Sequence, residues 1–552
     1  MSFSQLFFKL NAWLEGNRIF TYLLLFLIGL IFFFSMQTAP VFLDPDSFYH
    51  IKMAELMSQE GVILDFPYFQ FTTLRDSYTD HHFLYHIFLI PFVRLLPPMI
   101  GAKIAHVLLD CLVLITFFWL LNKLKVKGAF WYAILLLLIE PFIFRLGLVK
   151  AQPVSLIIIF VGVYLILTRR YWWLALMSFV YVWAYGGWFL YLILALLYVF
   201  ILSLDNALIE MRGGWLRQTV AKLGIKRRHA FKKFIKVFWM NIFSLPHLKL
   251  VLSVFGGTGL GVLINPYFPK NLYFFWIQII NIGIVNYQQV IGVGNEWYPF
   301  LFSNFLRGMV IPLVLSLLAL VVFLTHHRKY SGAVKFLLAV YILFLVASLK
   351  ARRNVEYLAP FSVIFAAVIF STGYQIREIR AGFILIKKQI VKFYFYNDWI
   401  SAFLATVIVA SAITVIVYLP IKEVRTFKHG ISFNYLKSAS EFLTENSNSG
   451  DIVFHSDWDD SPILFYHNHK NYYIVGLDPT FMYLANKDLY FKWSEVTLGQ
   501  RLPTMYDIIK NDFGARYVLV SKDHKDFIRN LNSNFNFENV YEDDEAIVYR
   551  VL

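Results

Sequence analysis

Cysteine is almost absent: Cys111 is the single one in 552 residues. One cysteine excludes an intrachain disulfide and a thiolate zinc cluster. It lies inside an apolar run, where it reads as a small buried hydrophobe. Charge is scarce as well. Asp, Glu, Lys and Arg make up 15% of the chain, against about a quarter in soluble globular domains. That shortage excludes an ordinary water-soluble fold. The 59% of hydrophobic residues supplies the alternative, because apolar runs of about 18 or more recur and such runs can cross a bilayer. Acids are fewer than bases, 35 against 50, for a net charge of +15. The bases gather in short loops between apolar runs, as the positive-inside rule expects of cytoplasmic loops. They form no exposed basic domain of the kind a nucleic acid requires, so no nucleic-acid partner is expected. No internal repeat and no low-complexity tract is present, and a transporter would more often carry repeats.

The expected fold class is an α-helical polytopic membrane protein with about eleven spans and a small C-terminal α/β domain. Lys9 and Arg18 precede the apolar run Phe20 to Met36. That run is too long for a signal-peptide core and lacks a small-residue cleavage site, so it reads as an uncleaved helix with the N-terminus inside. Helix one covers about 19–40. Residues 41–100 form an external segment, with His82–Leu95 as an interfacial or re-entrant helix because Arg94 and Pro97-Pro98 suit an interface. Further spans are expected at 101–122, 129–146 and 154–168, at two helices split by Gly186-Gly187 within 171–204, and at 248–264, 300–325, 333–349, 355–374 and 399–419. The loop 205–247 is inside and basic. It sets topology or lies on anionic headgroups. Residues 265–298 form a second external loop. The odd span count puts 430–552 on the outer, extracytoplasmic face, and the membrane expected is the cell (inner) membrane. Residues 1–420 thus form one domain and 430–552 another. In the latter, helices are expected at 438–444, 505–513 and 525–531, with strands at 451–455, 472–476, 516–521 and 546–551. Every strongly basic loop falls inside except Lys350–Arg353.

The chemistry-bearing stretch is Val-Phe-Leu-Asp44-Pro-Asp46-Ser-Phe-Tyr-His50, with Lys52 behind it. Paired acids at a membrane surface bind a divalent metal through oxygen ligands or poise a base. The same residues also make a good helix N-terminus. Further candidates lie on the same outer side: Gly-Val-Gly-Asn-Glu296-Trp-Tyr-Pro299, Ala-Arg352-Arg353-Asn, and Asp457-Trp458-Asp459-Asp460 after a strand.

In this order the motifs resemble the catalytic subunit of oligosaccharyltransferases, within the GT-C class of membrane glycosyltransferases. That family carries Asp-Pro-Trp-Tyr-His-Tyr-Arg in its first external loop. Asp46-Ser-Phe-Tyr-His-Ile-Lys52 matches its acid, aromatic, histidine and closing base. The resemblance implies a catalytic role for Asp46, with Asp44 beside it, and makes Glu296 the acid of the family's Ser-Val-Ser-Glu-x-x-Pro loop. It implies that Arg352 or Arg353 contacts the lipid-linked phosphate, which would account for the exception to positive-inside. Spacing does not choose between them. It places the acceptor-binding Trp-Trp-Asp-Tyr-Gly signature on Trp458 and Asp459, with Asp457 where the family has its first tryptophan.

The family's second acidic pair, after helix three, is replaced by Leu148-Val-Lys150-Ala-Gln152-Pro153. Either Lys150 stands in for metal charge near a phosphate, or Mg²⁺ or Mn²⁺ is held by Asp46 and Glu296 with Asp44 and a histidine. His81 and His82 are candidates for ligand or phosphate contact. The implied activity is transfer of a glycan from a polyprenyl-(pyro)phosphate-linked donor to a protein or glycan acceptor at the outer face, with inversion. The implied partners are that donor, the acceptor and membrane lipids. One alternative is a GT-C enzyme that moves a single sugar from a polyprenyl phosphate to a glycan or lipid. The other is a non-catalytic transporter or partner subunit.

Overall fold

The computed structural model describes residues 3–218, 226–373, 421–500 and 503–552, with a few positions between 380 and 418. Among these, seven helices are long and apolar enough to cross a membrane, or eight with one bent pair. Two shorter apolar helices, Gln152–Thr168 and Tyr171–Ala184, complete the bundle. The expected span at 399–419 lies outside the described residues, as does most of the basic segment before it. Gly186-Gly187 breaks the chain as expected, between Tyr171–Ala184 and Phe189–Gln218. The interfacial helix forms at Phe83–Leu95. Val355–Gly373 is apolar on all sides and buried along nearly its whole length, as a central bundle helix must be.

Two expected spans are not single rods. Residues 129–146 form Ala129–Leu136 and Glu140–Leu146, bent by 75°. Pro141 sits at the start of the second piece, where a proline fits a first turn but not a helix interior. Residues 300–325 split into Phe302–Gly308 and Val310–His326. The basic loop at 205–247 is largely helical: Phe189–Gln218 runs on into it and Lys226–Ile242 follows. The second external loop contains the helix Lys270–Trp276 and a π-helical turn, Ile277–Val285.

The C-terminal domain is built on a five-stranded sheet. In chain order the strands are β1 Val41–Phe42, β2 Ile431–Ser432, β3 Ile452–His455, β4 Tyr472–Tyr473, β5 Tyr517–Ser521, β6 Phe537–Glu542 and β7 Ala546–Val551. The sheet order is β4-β3-β5-β7-β6, parallel across β4, β3 and β5 and antiparallel at β7 and β6. β6 was not anticipated, because Phe-Glu-Asn-Val-Tyr-Glu carries half-polar residues on an outer edge. Period-two alternation sends Tyr517 and Leu519 into the core shared with the membrane bundle. It sends Val518 and Val520 into a second core beneath the domain's own helices.

The two domains are joined by backbone pairing. β1 pairs antiparallel with β2. Residues 68–71 add to the open edge at β4: Gln70 N–H donates to Tyr473 O at 2.9 Å and Tyr473 N–H donates to Tyr68 O at 2.7 Å. An edge strand that would otherwise be unpaired is thereby covered.

Candidate active site

Asp46 opens the helix Asp46–Glu60 at the mouth of the first span. Asp44 Oδ1 accepts the Asp46 backbone N–H at 2.9 Å. This contact closes a tight turn at the start of the helix, whose N-cap residue is Pro45. Asp44 Oδ2 and Asp46 Oδ2 each lie 2.7 Å from Lys150 Nζ. Lys150 rises from the turn between Glu140–Leu146 and Gln152–Thr168. The turn is pinned by Gln37 Nε2, which donates to Gly147 O at 2.7 Å, and by His106 Nε2, which donates to Leu146 O at 2.8 Å. Gly147 is required there, because a Cβ would stand 2.5 Å from the Phe427 ring.

Glu296 sits on a short turn, Asn295–Trp297. Its Oε1 accepts from Arg353 Nη1 at 2.9 Å and its Oε2 from Arg145 Nη1 at 2.6 Å. Arg145 also reaches Glu356 Oε2, through Nε at 3.1 Å and Nη2 at 3.0 Å. Arg353 stacks over Trp297, 4.3 Å from the ring centroid, and donates to Tyr185 OH. Arg352 instead donates to the carbonyls of Tyr298 and Pro299. The two arginines that the sequence could not separate thus do different things.

Burial raises the Asp46 carboxyl to about 6; Lys150 opposes that rise and Asp44 adds to it. For Lys150, burial works against the charge, but Asp44 and Asp46 outweigh it and hold the ammonium above its ordinary value. For Glu296, burial is outweighed by Arg353, Arg145 and Lys150, so the carboxyl stays below the usual range. Burial lowers His81 to about 4 and holds His82 well below its ordinary value, so both imidazoles are neutral.

Two cavities meet here. The smaller, about 120 Å³, is lined by His81, His82, Tyr185 and Arg353 among others. The larger, about 610 Å³, lies between the membrane bundle and the C-terminal domain and is lined by Asp44, Arg145, Arg352, Trp458 and Asp459. Asp46, Lys150, Glu296, Trp297, Leu477 and Asp478 wall both. Every residue expected from sequence therefore borders this pair of cavities. Arg145, Glu356, Tyr185 and Asp478 were not anticipated. Arg145 had a signal: a cation in an apolar run on the outer side departs from positive-inside, as Lys350–Arg353 does.

The expected metal ligation does not fit this donor set. Asp44 and Asp46 are closed on Lys150, and Glu296 on two guanidiniums. No group of three His, Cys, Asp or Glu side chains among the described residues converges on a common centre. Of the histidines nearby, His86 and His50 hydrogen-bond each other and His86 bonds Asp80, while His81 and His82 line the smaller cavity.

No protein-family model matches the chain, and no curated protein does. Solved structures do. The archaeal oligosaccharyltransferase AglB from Archaeoglobus fulgidus, in complex with an inhibitory peptide and a dolichol-phosphate, aligns with a TM-score of 0.61 at 12% identity, over 98% of this chain and 75% of that one. ArnT from Cupriavidus metallidurans, bound to undecaprenyl phosphate, aligns with a TM-score of 0.53 at 14% identity, over 96% and 97%. The arabinofuranosyltransferase AftD from Mycobacteria aligns with a TM-score of 0.52 at 12% identity, over 96% of this chain and 40% of its own. Identities this low speak to architecture, and the architecture is the GT-C fold of membrane glycosyltransferases, in a multi-pass membrane chain.

Proposed function

We propose that the chain is a membrane glycosyltransferase. It moves a glycan from a polyprenyl-linked phosphate or pyrophosphate donor to an acceptor on the extracytoplasmic face. The observation that carries this reading is Asp46 on the wall common to two cavities. Donor and acceptor would meet at that carboxylate. Two solved proteins of this fold hold a polyprenyl phosphate, which supports a lipid-linked donor.

In the proposed step, the acceptor hydroxyl or amide forms a bond to the anomeric carbon through its lone pair. Its proton passes to Asp46. The bond from the anomeric carbon to the phosphate oxygen breaks, and the electron pair leaves on the phosphate. One displacement inverts the anomeric carbon. A base with a pKa near 6 suits proton transfer near neutral pH. Arg352, Arg145 and Lys150 border the larger cavity, where fixed cations stabilise charge that grows on the leaving phosphate. Glu296 holds Arg145 and Arg353 in place. The neutral His81 and His82 would hydrogen-bond sugar hydroxyls in the smaller cavity.

Transfer of an oligosaccharide to a protein draws support from the large cavity between the two domains, which has room for an extended acceptor, and from Trp458 and Asp459 on its wall. Transfer of a single sugar to a glycan or lipid draws support from the smaller cavity and from Asp457, which departs from the tryptophan motif.

The test is in the native membrane. The gene is replaced by Asp46→Asn and Glu296→Gln forms, and glycans on proteins and lipids are compared by mass spectrometry. A protein-linked glycan that vanishes while its lipid-linked donor accumulates is the expected result for en bloc transfer. Loss of one sugar from a lipid or polysaccharide selects the second reading. Unchanged glycans at normal protein level would reject both.

A further inference from the structure

A carboxylate pair at a membrane-surface transferase site invites a divalent ion, yet here the space between Asp44 and Asp46 holds an ammonium. We propose that Lys150 is a built-in cation, occupying the position in which a metal would bridge Asp44 and Asp46, and that the site works without a divalent ion. The inference deepens the glycosyltransferase reading, but its geometry and its binding test stand apart from that reading.

Four observations converge. Lys150 Nζ is 2.7 Å from one oxygen of each aspartate, the distance of a strong charge-assisted hydrogen bond. The Lys150 side chain is only 8% exposed, so it is a fixed part of the wall rather than a surface lysine swung inward. Its turn is tied to neighbouring segments through Gln37 and His106, which fixes the backbone that carries the ammonium. Finally, Glu296 and Glu356 are already taken up by Arg145 and Arg353. A dication added here would displace Lys150 into a cluster that already contains two guanidiniums, and like charges in a dry site repel strongly.

The substitution has a chemical consequence. An ammonium has three N–H donors and no acceptor. Asp44 and Asp46 take two of them. The third is left for a phosphate oxygen, because Lys150 borders both cavities. Lys150 thus holds Asp46 ionised and offers one donor to the phosphate group of the lipid-linked substrate. A metal would do the same through its own charge.

The experiment uses the full-length protein in lipid nanodiscs with MnCl₂ alone as the probe. Bound Mn²⁺ is read by electron paramagnetic resonance and by the thermal unfolding midpoint. The wild type is expected to show no saturable Mn²⁺ signal and the same midpoint in MnCl₂ as in EDTA. Lys150→Ala empties the bridge between the aspartates and is expected to gain one saturable Mn²⁺ and an upward midpoint shift. Adding Asp44→Asn to it should abolish both. A saturable site in the wild type that Asp46→Asn removes would overturn the proposal. So would a natively folded Lys150→Ala protein that binds no Mn²⁺. If Lys150→Ala fails to fold, Lys150→Gln replaces it, with the same expected gain and the same overturning result. Where transfer is assayed, EDTA should leave wild-type turnover unchanged. Lys150→Ala should lose about 10²- to 10³-fold and recover part of that loss with Mn²⁺. Absence of transfer in every form would reject the glycosyltransferase reading and leave the Mn²⁺ result standing.

Discussion

Asp44 and Asp46 are separated by one proline and have different tasks. Asp44 accepts the Asp46 backbone N–H with one oxygen and pairs with Lys150 through the other. Asp46 also pairs with Lys150, and its carboxylate lies on the wall of both cavities. With its pKa near 6, Asp46 is ionised at neutral pH and protonated below. The kcat/KM profile is therefore expected to rise through about pH 6 to a plateau, and to lose that limb in Asp46→Asn. Asp478, on the wall common to both cavities, gives a separate test. Burial raises it to about 6, above the ordinary value near 3.9. Between about pH 4 and 6 the native protein keeps a proton that the unfolded chain releases, so stability falls as pH rises across that window. Asp478→Asn has no such proton to keep. It is expected to unfold later than the wild type above pH 6, by at most about 3 kcal/mol, and at the same point below pH 4. Thermal melts across pH check this.

At the scale of elements, the bend at 137–139 does most to build the site. A straight helix over 129–146 would carry Arg145 past the cavity. The 75° turn lays Glu140–Leu146 across the mouth of the bundle and brings Arg145 to Glu296 and Lys150 to Asp46. Close helix contact is needed elsewhere too. Tyr171–Ala184 and Leu245–Leu263 touch at Gly257, where a Cβ would overlap the Ala175 carbonyl. Gly257→Val should push these helices apart and lower stability by about 1–3 kcal/mol, seen as faster thermal inactivation with the site residues unchanged. Most spans were legible because a run of apolar residues registers as a span whatever it packs against. The bend was not, because Leu-Leu-Ile at 137–139 is as apolar as its flanks and Pro141 alone does not set an angle. Asp46 and Glu296 were legible through short motifs. Glu356 became visible only when distant segments met, since a long-range ion pair leaves no local spacing to read.

For the whole molecule, the membrane bundle and the C-terminal domain act as one body. Asp46 and Lys150 come from the first, Trp458 and Asp478 from the second, and the larger cavity exists only between them. The proposed orientation places that cavity outside the cell. Cys111 is buried, so a new surface thiol can report on sidedness against a quiet background. Phe535 is 98% exposed in the C-terminal domain. Phe535→Cys is expected to react with a membrane-impermeant maleimide in intact cells; labelling only after lysis would reverse the orientation.

The pairing of β1 with β2 also sets an order of events during synthesis. Val41 leaves the ribosome early, and its partner Ser432 leaves only after most of the bundle has been threaded into the membrane. Tyr68 waits still longer for Tyr473. The segment that carries Asp46 is therefore inserted first and finished last. A chain cut short between Ser432 and the strands that follow it would reach the membrane with every described span in place but with the cavity between the domains open, so such truncations should behave as null alleles even when the protein is inserted and abundant.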